Sequence, residues 1–315
     1  MRRLLGRLRM ALMVRSDRLR TAQWFYKSEP AAFTRLAEGQ ARPVCPACAT
    51  AAEWSSDYPS RAKPFARHRV LYCTHCGLGF VRDMGAVLAR YYREDYGRSN
   101  RGDRQLPPAE YFAAQVAGAD PALEKYADRV QRQIDLLRQH DARFDRVLDY
   151  GSGPGYFLQA SGAVEAHAIE PDEMSHKYLD YLGATRHADV QSLPAKSFDT
   201  IVASHVIEHL PSEELQPTLE RLLAALAPGG RLLIEVPQGG HSYLRLAGHR
   251  QDPHTLFFTG QALVEAVTSA GGDILYLMAL GRVHNPRREA PIYRPKGPPF
   301  FRTARGSLTV VCTAA

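Results

Sequence analysis

Between residues 146 and 313, short apolar runs alternate with longer stretches whose apolar positions recur every three or four residues. The runs 146–150, 166–170, 198–204, 231–236, 274–281 and 307–313 are rich in Val, Ile and Leu and predict buried strands. The stretches 156–162, 172–182, 212–226 and 260–270 predict amphipathic helices, and 122–140 predicts one more ahead of the first strand. Such alternation predicts a doubly wound α/β fold, a mostly parallel sheet covered on both faces. No helix separates the last two strands, so a hairpin is expected, with the final strand antiparallel. Ala227-Pro228-Gly229-Gly230 reads as a helix stop and turn leading into 231–236.

The first strand runs into Val147-Leu148-Asp149-Tyr150-Gly151-Ser152-Gly153-Pro154-Gly155, and Glu170 ends the next. Glycine tolerates positive φ and has no Cβ, so this turn lets backbone approach a ligand closely. A carboxylate beyond the following strand suits the two hydroxyls of a ribose. The dinucleotide fingerprint would need a third glycine at position 156, where the chain has Tyr156. Asp149 just before the turn would repel a diphosphate but suits a ligand carrying an ammonium and a sulfonium.

These residues resemble the first two motifs of the class I S-adenosylmethionine-dependent methyltransferases. Further along, Ala188-Asp189-Val190 before Leu193-Pro194 is similar to the family's adenine-binding segment, and His205-Val206-Ile207-Glu208-His209-Leu210 to the loop that closes over the methyl donor. The resemblance covers about residues 120–315 and implies a seven-stranded sheet. It implies that Asp149, Tyr150, Gly151, Gly153, Gly155 and Tyr156 cradle the methionine end of S-adenosyl-L-methionine. Glu170 and Pro171 would meet the ribose, Asp189 and Val190 the adenine, and Ser204 and His205 would complete the donor site.

Cys45-Pro46-Ala47-Cys48 and Cys73-Thr74-His75-Cys76-Gly77 are two CxxC pairs with 24 residues between them. Two such turns facing each other give a tetrahedral thiolate site that zinc fills structurally, so residues 41–82 are expected to form a zinc ribbon. Gly77 fits the left-handed position such knuckles need, and His75 reads as a solvated bystander. Cys312 reads as plain core. Residues 1–40 form a basic helical segment, 83–119 a connecting and acceptor-lid segment, and 120–315 the donor-binding domain. The order CxxC, CxxCGL, Tyr91-Tyr92 to Tyr96, then the donor motifs resembles bacterial methyltransferases of surface-sugar and secondary-metabolite pathways.

Charge changes the expected partner. The 315 residues carry a net +7, yet residues 1–27 alone carry +7 and residues 282–305 carry +6, which leaves 28–281 at −6. Basicity confined to two short segments argues against a broad nucleic-acid-binding face. Residues 1–27 suit a solvated or packed surface helix, or a basic amphipathic helix in weak contact with anionic lipid. A transit peptide has the same composition. No apolar run reaches 18 residues, so a cytoplasmic, at most membrane-peripheral, protein is expected. The Pro-rich basic stretch 282–305 suits a phosphorylated acceptor such as a nucleotide-sugar.

Methyl transfer from a sulfonium needs the acceptor positioned in line and, where necessary, deprotonated. His209 and His254 are the expected bases, with His205 third. Asp252-Pro253-His254, followed by Phe257-Phe258-Thr259, is a loop that similar enzymes place over the acceptor. Some methyltransferases with Glu-x-x-Glu-His in the first of these loops, plus a downstream His, bind a divalent metal that orients acceptor hydroxyls. This chain has His205 where the first Glu would stand, which favours a base over a metal. The expected function is methylation of a small-molecule acceptor, a sugar, nucleotide-sugar or metabolite hydroxyl, or a carbon. The rivals are an RNA base methyltransferase and a non-catalytic zinc-ribbon module. The absence of an Asn/Asp-Pro-Pro-Tyr motif after the fourth strand speaks against the first rival. The complete donor motifs speak against the second.

Overall fold

The computed structural model describes residues 34–37, 42–58, 63–92, 106–117, 121–237, 253–281 and 306–315. The basic segment 1–27, Tyr96, Asp252 and the Pro-rich stretch 282–305 lie outside the described residues.

Twelve strands are described. They are β1 (Thr34–Arg35), β2 (Trp54–Asp57), β3 (Arg69–Tyr72), β4 (Gly79–Phe80), β5 (Arg146–Tyr150), β6 (Glu165–Ile169), β7 (Thr185–Arg186), β8 (Phe198–Ser204), β9 (Leu226–Pro237), β10 (Leu256–Phe257), β11 (Gly272–Gly281) and β12 (Gly306–Ala314). Seven of them form a Rossmann-like sheet in the order β11-β12-β9-β8-β5-β6-β7, mostly parallel with the last strand antiparallel. β5 pairs in parallel with β6, from Arg146 opposite Glu165 to Tyr150 opposite Ile169, and with β8, from Val147 opposite Thr200 to Tyr150 opposite Ala203. The chain order therefore reverses at β5, and ligands of open α/β sheets bind at the carboxyl ends of the strands beside such a switch point. The glycine turn follows β5 directly.

Two compact units interleave along the chain. One comprises Ala89–Val206, Glu220–Ile234 and Val311–Ala315. Its β5 and β8 read as near-continuous apolar runs because both sheet faces are covered; Val147, Leu148, Ile201, Val202 and Ala203 are all fully buried. The helix Pro121–Gln139 buries Val130, Gln133, Ile134 and Leu137, one stripe at helical spacing. Cys312 is fully buried, its Sγ 3.6 Å from the Leu232 carbonyl oxygen, as plain core.

The other unit comprises Met1–Leu88, Ile207–Leu219 and Glu235–Val310. Its described part holds an antiparallel sheet in the order β1-β2-β3-β4-β10. The cysteine segment thus shares its sheet with β10, Leu256–Phe257, which follows the glycine turn by about a hundred positions. Gly79 makes the join possible. A Cβ there would lie 3.1 Å from the Tyr72 ring and 3.2 Å from Phe257 and Val70.

Three local features depart from the sequence pattern. β9 begins at Leu226 rather than 231, because Gly230 lies against the backbone of β8, where a Cβ would sit 2.8 Å from the Phe198 carbonyl oxygen. The third strand, β7, has two exposed residues and no apolar alternation to announce it. Residues Gly85–Tyr91 and Pro108–Ala117 are helical within a stretch read as connection.

Candidate functional site

The donor turn is built from three left-handed glycines: Gly151 at φ 74°, Gly153 at φ 53° and Gly155 at φ 83°. They are not equivalent. A Cβ on Gly151 would lie 2.7 Å from Val206, and one on Gly155 would lie 2.8 Å from Leu179, so packing forbids side chains there. A Cβ on Gly153 would meet nothing within 4 Å. Gly153 is kept by its positive φ rather than by packing, and the space beside it is open.

Glu170 folds onto this turn. Its Oε2 accepts from the Gly153 N–H at 2.6 Å and its Oε1 from the Asp172 N–H at 2.8 Å. Its backbone carbonyl is 2.9 Å from His176 Nε2, while Arg186 Nη1 is 2.7 Å from His176 Nδ1. A guanidinium only donates, so His176 Nδ1 accepts and its Nε2–H donates to Glu170. Asp149 is 4% exposed, and burial, then the charge of Glu170, push its carboxyl up to about 7. Two mutually repelling carboxylates beside a glycine turn are what a cationic ligand would relieve. The donor-site residues fit such a molecule.

The remaining donor residues belong to the same unit. Tyr156 is 7% exposed, with its ring 5.7 Å from that of Tyr126, and burial raises its hydroxyl pKa. Tyr150 is half-buried and Pro171 exposed. Asp189 caps the short turn Val190–Ser192, its Oδ1 accepting from the Ser192 N–H at 2.9 Å. Arg221 pins that turn through the carbonyls of Val190 and Leu193. Ser204 Oγ accepts from Gln133 Nε2 at 2.8 Å, and His205 turns the chain out of β8 with φ 56°. Histidine is among the non-glycine residues that tolerate this left-handed region best.

In the other unit the four thiols of Cys45, Cys48, Cys73 and Cys76 lie within 4.8 Å of one another. The Cys45–Cys76 and Cys48–Cys73 sulfurs are 3.6 and 3.5 Å apart and unbonded. A tetrahedron with metal–sulfur bonds of about 2.3 Å has edges of about 3.8 Å, so the set fits a closed metal site. Mutual hydrogen bonding holds the Cys45 and Cys76 thiols above their ordinary pKa and those of Cys48 and Cys73 below it. His75 stands outside the cluster, 3.6 Å from Glu265. The knuckles are tied to neighbouring elements: Thr259 Oγ1 donates to the Cys76 carbonyl at 2.5 Å, and Gln216 Nε2 to that of Pro46 at 3.0 Å.

The expected bases His209 and His254 come together, with ring centroids 4.7 Å apart at 66°. Glu208, 1% exposed, joins them; one ligand atom from each of the three lies within 4.8 Å of the others. The backbone fixes this meeting. Thr255 donates from N and Oγ1 to the Glu208 carbonyl at 2.8 and 3.1 Å, and from Oγ1 to that of Leu210. Tyr58 Oη donates to the His254 carbonyl at 2.7 Å. Val81 N donates to the Thr255 carbonyl at 2.9 Å, continuing the pairing of β4 with β10.

All donor residues expected from sequence thus fall in one unit, and His209, His254 and the four cysteines in the other; His205 goes with the donor residues. Sequence reading passed over Glu208 as a site member and missed Tyr58, Thr255 and Val206. The first three depend on contacts between segments 45 or more positions apart, which no local pattern encodes. Val206 was marked only by its place directly after His205.

Comparison with known proteins agrees with the donor motifs. Residues 119–277 match the methyltransferase domain family. Over an alignment of 140 positions the chain is 26% identical to a probable non-canonical nonribosomal peptide synthetase, CymA, of Salinispora arenicola, covering 39% of this chain and only 2% of that protein. Over 246 residues the chain is 27% identical to a protein of Mycolicibacterium paratuberculosis described as an S-adenosyl-L-methionine-dependent methyltransferase, covering 73% of this chain and 76% of that one. Among solved structures, the 1,6-didemethyltoxoflavin-N1-methyltransferase of Burkholderia thailandensis, with S-adenosylhomocysteine bound, aligns at TM-score 0.48 and 15% identity, covering 82% of this chain and 100% of that one. The glycine turn, the paired acids and the family match together make this chain a member of the methyltransferase domain family, an S-adenosylmethionine-dependent methyltransferase.

Proposed function

We propose that the chain methylates a small-molecule acceptor, a sugar, nucleotide-sugar or metabolite bearing a hydroxyl or acidic carbon. The observation that carries the donor half is the Asp149–Glu170 pair around a turn of three left-handed glycines with open space beside the central one. Bound there, S-adenosylmethionine supplies an activated methyl group. Asp149 would face the donor's positive charges, and the backbone at Gly151, Gly153 and Gly155, with Tyr150 and Tyr156, would hold the methionine end. Glu170 would exchange its bonds to Gly153 and Asp172 for the ribose hydroxyls, with Pro171 stiffening the chain beyond it. Asp189 and Val190 would flank the adenine, and Ser204 and His205 would close the site.

His209 and His254, with His205 earlier in the same loop, are assigned to activating the acceptor. The chain supports this, since His209 follows Ser204, the end of β8, by five residues. The four cysteines would hold one structural zinc ion, and Tyr58 and β10 link that zinc-bearing sheet to His254. The weakly acidic body of the chain, −6 over residues 28–281, supports a small molecule over nucleic acid. A phosphorylated acceptor would find its counter-charges in 282–305.

The test is calorimetry with S-adenosylmethionine, followed by labelled-methyl transfer to nucleotide-sugars, metabolite hydroxyls and RNA. Donor binding lost in Asp149→Ala, and label in a small molecule, is the expected result. Label in RNA alone would overturn the acceptor class, and unchanged donor affinity in the variant would remove the donor site.

A further inference from the structure

We propose that His176, braced by Arg186, is a positioning residue for the methyl donor, fixing the backbone of Glu170 and the spacing between the ribose and adenine ends of the site. Its half-buried ring lies near the start of the helix Glu173–Tyr181. Nε2–H donates to the Glu170 carbonyl at 2.9 Å, and Nδ1 accepts from Arg186 Nη1 at 2.7 Å. Both ring nitrogens are thereby committed, one as donor and one as acceptor. Arg186 is held in turn by Asp180, Nε to Oδ1 at 3.2 Å. Asp180 stands four residues after His176, on the same face of the helix. A ring between a backbone carbonyl and a tethered guanidinium keeps one orientation.

These bonds close a circuit around the acid. Glu170 Oε1 accepts from the Asp172 N–H at 2.8 Å, and Asp172 caps the helix, accepting from Met174 N and Ser175 Oγ at 3.4 and 3.2 Å. His176 returns the chain to the Glu170 carbonyl. When the carboxylate exchanges the Gly153 and Asp172 N–H groups for a ribose, the backbone that carries it stays fastened from the helix side. Arg186 extends the circuit to the next strand. It ends β7 opposite Ala168 of β6, and His187 N donates to the Ala168 carbonyl at 2.8 Å. Asp189, assigned to the adenine, follows Arg186 by three residues. One imidazole therefore joins the segment bearing the ribose acid to the strand that delivers the adenine segment.

Magnitude separates this role from a stabilising one. Arg186 and Asp180 side chains are 41% and 59% exposed, and an ion pair so open to water adds little to stability. Orientation is what it supplies: a supporting residue that holds a contact group in place reduces the freedom lost on binding. Loss of the brace should therefore appear in donor affinity before it appears in melting. This proposal rests on the donor-side reading above and names the residues that stand behind Glu170 rather than against the ligand.

The experiment measures, by calorimetry on the full chain, binding of S-adenosylmethionine and of 5′-methylthioadenosine, which keeps the adenosine but lacks the amino-acid end. His176→Phe keeps an aromatic ring and deletes both hydrogen bonds, whereas His176→Gln keeps one donor and one acceptor. The Phe variant should weaken both ligands by the same factor, about five- to tenfold, and the Gln variant should bind within about twofold of wild type. Arg186→Leu should weaken both about threefold. The double variant His176→Phe with Arg186→Leu should bind no worse than His176→Phe alone, because both residues act through one ring. Unchanged affinity in His176→Phe, or a loss confined to S-adenosylmethionine, overturns the proposal. A Gln variant as weak as Phe, or additive losses in the double variant, overturns it too. Should His176→Phe unfold, Arg186→Leu carries the same comparison of the two ligands. Failure of the wild type to bind either ligand would instead sink the donor-site reading, and this proposal with it.

Discussion

The Tyr58 hydroxyl donates a 2.7 Å hydrogen bond to the backbone carbonyl of His254, across 196 positions of sequence. Its ring stacks on Phe65 at 5.9 Å and meets Phe257 edge-on at 6.3 Å. Tyr58→Phe keeps this packing and removes the bond to His254, at about 1 kcal/mol. We expect kcat to fall several-fold while donor affinity stays unchanged. Steady-state kinetics beside calorimetry checks it, and an unaltered kcat removes Tyr58 as a positioning residue.

Donor binding should depend on pH through Asp149. Its carboxyl, at about 7 in the folded chain against an ordinary 3.8, is substantially protonated below neutrality. A cationic donor prefers the ionised form, so binding should release protons and strengthen as pH rises from 6 to 8. The stability sign is opposite. The folded state holds the proton more tightly than the unfolded chain, so Asp149 lowers stability as pH rises from about 4 to 7. Asp149→Asn should flatten both dependences and weaken donor binding at least tenfold. Calorimetry in buffers of different ionisation enthalpy counts the protons.

Gly151→Ala and Gly153→Ala should separate packing from ligand contact. Both strain a positive-φ residue by roughly 1–2 kcal/mol. Only Gly151→Ala also drives a methyl to 2.7 Å from Val206, adding about 1–3 kcal/mol. Gly153→Ala should therefore be the more stable variant by thermal melting, yet lose most of its donor affinity. Equal melting temperatures would remove the proposed distinction.

Metal removal should act on one unit. A strong chelator is expected to release about one zinc ion per chain from the cysteines and speed hydrogen exchange in residues 42–58, 69–81 and 254–257. Those segments share one antiparallel sheet. A metal-free preparation with unchanged protection would show that the four thiols need no ion.

His209→Ala and His254→Ala should each lower turnover at least a hundredfold with donor affinity within about threefold of wild type. Two fully active variants would remove the histidine pair from the chemistry.

The glycine turn and its paired acids were legible in the sequence because their determinants are local. A glycine turn after a buried strand, and an acid at the tip of the next, occupy one stretch from Asp149 to Glu170, and neighbouring parallel strands bring its ends together automatically. The two CxxC pairs were legible for the same reason, each being a single tight turn. Which glycine has open space beside it was not legible. All three have positive φ, and only the tertiary neighbours Val206 and Leu179 distinguish Gly151 and Gly155 from Gly153. The meeting of the two histidines was decided by tertiary structure. His254 reaches Glu208 and His209 because β10 adds to the sheet of the cysteine segment and Thr255 bonds to the Glu208 carbonyl. The β4–β10 ladder and the bond from the Thr255 N–H join backbone groups, which every sequence carries alike, and the Thr255 Oγ1 bond spans 47 positions, so the packed fold selects these partners and no local pattern marks them.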